Sequence, residues 1–233
     1  MSMNLLITGG CGYVGSVLTE YLSKKNYNIT IIDNQWFGNH IKEKENIRII
    51  KEDIRNINKI DINNVDTVIH LANIANDPGV ELNPGLSWEV NVLATKQLAD
   101  KAMNIGVEQF IYASSGSVYG IKDEEKVTED LSTNPISIYN KTKIIAEKVL
   151  MSYADKFQVH NIRPATVCGI SPRMRLDVSV NMLTMQALLN QEINVFGGSQ
   201  TRPNIHIQDM VKVYEHFLVN KNLSSGPYNA GFE

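Results

Sequence analysis

The feature that most constrains this chain is the octet Thr8-Gly9-Gly10-Cys11-Gly12-Tyr13-Val14-Gly15. It follows directly on an apolar run, Asn4 to Thr8, and opens a segment of helical period, Tyr13 to Lys25. Three glycines at such a junction have separable physical jobs. Gly9 turns the chain tightly, Gly12 lets the backbone approach a bound group, and Gly15 lets the helix pack close to a sheet. The first-turn amides and the positive end of the helix dipole then face the turn, an arrangement suited to a pyrophosphate. A tight strand-to-helix turn needs glycine with or without a ligand, so the octet alone is a weak signal.

The rest of the chain supplies the context. Continuous Ile/Val/Leu runs at Asn28 to Asp33, Ile47 to Glu52, Asp66 to Leu71 and Gln109 to Ala113 alternate with helical periods, including Leu86 to Asn104. Unbroken apolar strands separated by helices predict a doubly wound α/β fold, a parallel sheet covered on both faces. A helix from Ser137 to about Asp155 and a strand from Val159 to Ile162 extend the sheet. After Arg163 the pattern loosens: a helix from about Val178 to Asn190, a short strand from Ile193 to Phe196, and a last helix from Asp209 to about Asn220. Residues 1–165 are therefore expected to form a Rossmann domain, and 166–233 a small substrate lobe interleaved with the last sheet elements. The Pro/Gly-rich stretches Asp77 to Gly85 and Gly197 to Pro203 read as loops.

Composition narrows the function classes. With 233 residues, 43% hydrophobic and 20% charged, the chain can bury one substantial core plus an appendage. A formal net charge of −3 with scattered lysines gives no footprint for nucleic acid. The apolar runs are strand-sized, far short of the ~20 residues that span a bilayer, so no membrane partner is expected. No secretory pattern precedes Asn4, which makes the cytoplasm the expected address. Cys11 and Cys168 lie in no metal-binding spacing and read as buried reduced thiols; no metal is expected.

Two further sites add chemistry to the glycine turn. The second strand ends in Asp33, eighteen residues past Gly15. A carboxylate there can accept both hydroxyls of an adenosine ribose and repels a 2′-phosphate, favouring NAD over NADP; an ordinary turn carboxylate is the alternative, but only a minority of strand ends would combine with this glycine fingerprint. Asp53-Ile54, ending the third strand, can meet the adenine edge or be a solvated loop. Tyr139 and Lys143 are four apart on a helix and so share a face. An ammonium beside a phenol favours the phenolate, lowering a pKa of about 10 toward that of a usable base. The same spacing also occurs on helices that merely expose a snorkelling lysine. Tyr112-Ala-Ser-Ser-Gly-Ser-Val-Tyr-Gly120 brings hydroxyls to the end of the fifth strand, where α/β sheets contact ligands.

Fingerprint, acidic strand end, strand-end serines and Tyr-x-x-x-Lys, in this order, resemble the extended short-chain dehydrogenase/reductases, specifically the nucleotide-sugar epimerase/dehydratase group typified by UDP-glucose 4-epimerase. The resemblance continues through His70-Leu-Ala-Asn73, Asn91 to Thr95, Arg163-Pro-Ala-Thr-Val-Cys-Gly169, Arg202-Pro-Asn-Ile-His-Ile-Gln-Asp209 and Tyr228-Asn-Ala-Gly231. It implies an NAD site lined by Gly9, Gly12, Tyr13, Val14, Gly15, Asp33 and Asn34 on one side. Asp53, Ile54, Leu71, Ala72, Asn91, Ala113, Tyr139, Lys143 and Pro164 line the other. It implies a catalytic Ser115, Tyr139 and Lys143, with Lys143 also holding the nicotinamide ribose, and Arg202 gripping a substrate pyrophosphate. Ser115, Thr166, Asn181 and Arg202 then contact a nucleotide-diphosphate sugar.

Several positions depart from the family pattern: Asn73 for alanine, Ala94 for glycine, Thr166 for asparagine and Cys168 for tyrosine. Family members also usually continue well past Tyr-Asn-x-Gly, so the substrate lobe is expected to be short or incomplete. The leading function is an epimerase or ketoreductase working at a ring carbinol, C4 by the resemblance. A 4,6-dehydratase ranks below it, because Gly116 and Ser117 stand where dehydratases carry an acid. A non-catalytic NAD-binding sensor is the alternative from another class. His70 and His206 sit in apolar strand-like runs and read as structural. The resemblance further implies a homodimer through the Leu86 to Asn104 helix and the one carrying Tyr139.

Overall fold

The run Leu5-Leu6-Ile7 shows no polar alternation because both of its faces are covered: Leu6 joins one hydrophobic cluster, Leu5 and Ile7 the other. The same holds for each central strand, and a seven-stranded, wholly parallel sheet results. The computed structural model describes residues 2–232. Its first half runs β1 (Met3–Thr8), α1 (Tyr13–Ser23), β2 (Tyr27–Asp33), β3 (Ile47–Lys51), β4 (Thr67–His70), α2 (Asp77–Leu82), α3 (Pro84–Trp88), α4 (Ala94–Asn104) and β5 (Gln109–Ala113). The second half runs α5 (Ile138–Met151), β6 (Gln158–Pro164), β7 (Thr166–Cys168), α6 (Ser179–Asn190), β8 (Asn204–His206), α7 (Ile207–Val219) and β9 (Gly226–Ala230).

The strand order is β3-β2-β1-β4-β5-β6-β9, the doubly wound arrangement expected. The order reverses between β1 and β4, and the groove outside their carboxyl ends is where such sheets bind ligands. On one face α4 and α5 cover Val68, Phe110, Tyr112 and Val159; on the other α1 and α7 cover Ile7, Ile31, Ile111 and Ile162. Helix α7 contributes Met210, Val211, Tyr214, Phe217 and Leu218, a single apolar stripe at helical spacing.

Residues beyond 165 do not all stay apart. β9 pairs with β6 and α7 packs in the cluster of α1, so both return to the main layers. The lobe proper is α6, its loops and a parallel pair in which Thr166, Val167 and Cys168 face Asn204, Ile205 and His206.

The structure corrects several local expectations. The stretch from Asp77 to Gly85 is not a loop but α2 and the start of α3, because Asn76 and Asn83 accept from the amides of Gly79 and Leu86 while Pro78 and Pro84 occupy the first helical turns. Leu86 to Asn104 is one helical segment interrupted by a π-turn at Glu89–Leu93. Ile193 to Phe196 is not a strand: no strand among the described residues pairs with it, and Phe196 is 83% exposed. Cys11 is a buried free thiol as expected, whereas Cys168, on the small lobe sheet, is only half-buried.

Candidate active site

The glycine turn has the division of labour its spacing predicts. Gly9 is left-handed (φ +72°), and a Cβ there would lie 2.6 Å from the Ala72 amide nitrogen. A Cβ on Gly15 would lie 2.3 Å from the Gly9 carbonyl oxygen, so helix and turn could not close. At Gly12 the same test meets only the Gly9 carbonyl at 3.2 Å, leaving the side toward the groove open. Helix α1 starts at Gly12 without a side-chain cap, so its first-turn amides are available to an anion. Asp33, at the end of β2, lies beside the turn. Its carboxylate accepts from the amides of Cys11 (3.0 Å) and Gln35 (2.7 Å), which ties the end of β2 to the turn. Thr8 receives the Leu71 amide on its carbonyl at 2.9 Å, and its hydroxyl takes the Ala72 amide at 3.3 Å, fixing the floor between β1 and β4.

The reactive residues converge at the end of β5. Ser115 caps a short 3-10 turn, Gly116–Tyr119, and its Oγ lies 2.8 Å from Ser117 Oγ. Ser117 in turn donates to Asn140 Oδ1 at 2.6 Å. Helix α5 is capped by Ser137, whose hydroxyl accepts from the Asn140 amide at 3.2 Å, and this sets the position of Tyr139 on its first turn. The Ser115 hydroxyl lies close enough to the Tyr139 phenol to favour its ionised form. Lys143 Nζ donates to the Ala113 carbonyl at 2.6 Å and lies 5.7 Å from the Tyr139 ring centre. Burial pushes Lys143 down to about 7, with Glu147 opposing. Burial also raises the Tyr139 pKa, against which Arg175 and Ser115 act. Among the groups that favour the phenolate is the Arg175 guanidinium, a residue that sequence reasoning missed.

Other expected contacts take different roles. Asn181 is buried with its amide fully engaged: Oδ1 accepts from the Gly169 amide at 3.0 Å, and Nδ2 donates to Tyr13 Oη (3.1 Å) and the Arg175 carbonyl (2.9 Å). It therefore holds the lobe loop to α1, and the Tyr13 side chain, whose hydroxyl donates to the Gly169 carbonyl at 2.8 Å, does the same. Asn91, inside the π-turn, pairs with both backbone groups of Ile74 and with Thr142, so it braces the groove's wall. The Asp53 carboxylate is taken up by Arg55, and Ile54 is core. Asn34 Oδ1 accepts the Trp36 amide at 3.2 Å in the loop after β2. Arg202 is exposed on the loop before β8, while Pro164 and Thr166 are half-buried where β6 gives way to β7. His70 is wholly buried between the hydroxyls of Thr8 (2.6 Å) and Thr95 (2.8 Å), and burial pushes it down to about 3, so it is structural. His206 caps α7.

A loop from the lobe crosses the groove. Arg175 holds Asp177 through Nε (3.1 Å) and Nη2 (2.6 Å), Asp177 accepts from Asn76 at the start of α2, and Arg173 stacks 3.8 Å from the ring centre of Phe37 on the loop after β2. No signal of spacing marks the contacts of Asp177 with Asn76 and of Arg173 with Phe37, which join residues remote in sequence, while Arg175 and Asp177 are neighbours two apart in the same loop.

The model of the NAD dependent epimerase/dehydratase family matches residues 5–231. A putative UDP-glucose 4-epimerase of Methanocaldococcus jannaschii is 29% identical over 89% of this chain and 71% of its own length. UDP-glucuronic acid decarboxylase 1 of Xenopus tropicalis is 31% identical over 97% of this chain and 56% of its own. Among solved structures, the UDP-glucuronic acid 4-epimerase of Bacillus cereus, in complex with UDP-glucuronic acid and NAD, superposes with a TM-score of 0.85 at 28% identity, covering 99% of this chain and 78% of that one. A UDP-N-acetylglucosamine 4-epimerase from Methanobrevibacter ruminantium gives 0.87 at 27% identity over 99% and 76%. Glycine turn, Asp33, Ser115, Tyr139 and Lys143 all fall within the matched span, and the chain belongs to the NAD dependent epimerase/dehydratase family.

Proposed function

We propose that this chain is an NAD-dependent epimerase acting on the sugar of a nucleotide-diphosphate sugar, at C4. The observation that carries the reading is the convergence of Ser115, Tyr139 and Lys143 at the end of β5, beside the groove. The groove's own chemistry suits NAD. The open face of Gly12 and the uncapped start of α1 suit its pyrophosphate, Asp33 its adenosine ribose, and Lys143 its nicotinamide ribose. NAD supplies a two-electron acceptor that takes up and returns hydrogen at the sugar carbon. The protein's part is acid/base and positional. Tyr139 Oη removes the proton of the carbinol hydroxyl, Ser115 Oγ hydrogen-bonds the same oxygen, and Lys143, charged, favours the phenolate. When the sugar is reduced again on its other face, Tyr139 returns the proton.

Dehydration ranks lower. Gly116 and Ser117 offer no acid for a leaving hydroxyl, and Ser117 is tied to Asn140. Arg175 beside Tyr139 favours including an anionic sugar among the substrates tried. The test is a panel of UDP-, GDP-, CDP- and dTDP-sugars, with UDP-glucuronic acid among them, followed at the reduced-nicotinamide absorbance and by product analysis. The C4 epimer is the expected product; a keto-deoxy sugar indicates a dehydratase, and bound NAD with no turnover of any sugar indicates a sensor. Exposed Trp88, Leu93 and Met103 on α3 to α4, with Ile145 on α5, support a homodimer through these helices.

A further inference from the structure

We propose that Glu147, locked by Arg163, is a positioning residue of the reactive set: it places a buried negative charge one helical turn beyond Lys143 and registers α5 against the end of β5. The proposal rests on the reading of Tyr139 and Lys143 given above. Tyr139, Lys143 and Glu147 are spaced by four and share one face of α5. They meet three consecutive residues at the strand end. The Ala113 carbonyl takes the ammonium, Ser114 Oγ donates to Glu147 Oε1, and Ser115 lies by the phenol, whose ionised form it favours. Fixing the third rung therefore fixes the first two.

Arg163, on β6, holds Glu147 from the far side, with Nε to Oε1 at 3.0 Å and Nη2 to Oε2 at 2.6 Å. Its Nη1 donates to Tyr119 Oη at 2.7 Å, and that hydroxyl donates to Asn229 Oδ1 on β9 at 2.8 Å. The two charged side chains are 6% and 5% exposed. A buried ion pair recovers little more than its desolvation cost, and an apolar pair of equal volume is often as stable. Stability alone therefore gives no reason for charge at this place, whereas Lys143 does.

Lys143 is itself 3% exposed, and burial disfavours its charged form. The groups facing it are His70 from β4, which burial keeps neutral and whose ring Lys143 also disfavours charging; the Tyr112 ring from β5, 4.9 Å from Nζ; and, on α5, Tyr139 and Glu147. Asn73, with its amide turned to satisfy its neighbours, offers an oxygen 3.2 Å from Nζ. Glu147 is the carboxylate among them, and it opposes the effect of burial.

The test titrates the Lys143 side chain by NMR of its ε-carbon in lysine-labelled, cofactor-free protein, with the resonance assigned by Lys143→Met. Wild type is compared with Glu147→Gln and with Glu147→Gln/Arg163→Gln, which removes both charges. The expected result is a Lys143 midpoint lower by about half a pH unit or more in both variants. The acid limb of the kcat profile should move the opposite way, upward, because a neutral Lys143 no longer favours the Tyr139 phenolate. A merely structural role would lower Tm and the amplitude of activity and leave both midpoints in place. An unmoved midpoint in a folded variant overturns the proposal, as does failure of both variants to fold, which would assign the pair to stability. If no nucleotide-sugar is turned over, the functional reading fails while the NMR midpoint still decides the role of Glu147.

Discussion

A single hydroxyl separates Tyr139 from phenylalanine, so Tyr139→Phe keeps the half-buried ring and removes only the group proposed to move the proton. Turnover should fall ~10²–10⁴-fold, the usual contribution of a general acid/base, with NAD affinity nearly unchanged in a fluorescence titration. Near wild-type turnover would remove Tyr139 from the mechanism. If Asp33 meets the adenosine ribose as proposed, its carboxylate repels the phosphate of NADP and NAD should bind more tightly; equal affinities would mean that Asp33 does not meet the ribose. Lys143 gives a pH signature without substrate. Its folded pKa, about 7, lies below the ordinary value of 10.5, so the unfolded chain binds more protons between those values and this residue's contribution to stability rises with pH across that window. Urea unfolding should show wild type gaining on Lys143→Met from about pH 7 to 10.5; a constant difference would mean that Lys143 is not desolvated. These residues were legible in the sequence because glycine, a strand-end acid and Tyr-x-x-x-Lys declare themselves by spacing. Glu147 was not: a glutamate four past a lysine reads as a solvated helix pair, and Arg163, which makes it buried, comes from another strand.

At the scale of elements, the sheet could be read because each central strand is an unbroken apolar run, and α1 and α5 because a cap or a glycine marks their start. The π-turn at Glu89–Leu93 was beyond reach, since one extra residue in a helical turn leaves the apolar period almost intact. Its effect is to aim Asn91 at Ile74. Asn91→Ala would leave the backbone N–H of Ile74 without its partner, while Asn73 still donates to the Ile74 carbonyl, and should destabilise the fold by about 1–3 kcal/mol in urea unfolding. No measurable loss would mean that water replaces the amide. The lobe was misread at Ile193 to Phe196 for the reverse reason: apolar residues in a short run suggest a strand, but no strand among the described residues pairs with them. Asn181 and Tyr13, to which the resemblance gives ligand contacts, are hydrogen-bonded to each other.

For the molecule as a whole, the apolar side chains left outward on α3 to α5 bear on assembly. Light scattering at micromolar concentration should give twice the mass of the 233-residue chain, and Leu93→Lys, at a site 55% exposed, should shift the species toward monomer. A monomeric wild type would end that expectation. Among the described residues no helix is long and apolar enough to cross a membrane. The place of β9 has a consequence during synthesis. The outer edge of β6, complete by Pro164, gains its partner only with Gly226–Ala230, roughly 60 residues later. At about 5–20 residues per second the ribosome leaves that edge open for on the order of 3–12 s. During that interval the nascent chain carries an unpaired row of amides and carbonyls beside Val159 and Ile162, the place where a chaperone or a second nascent chain has most to gain.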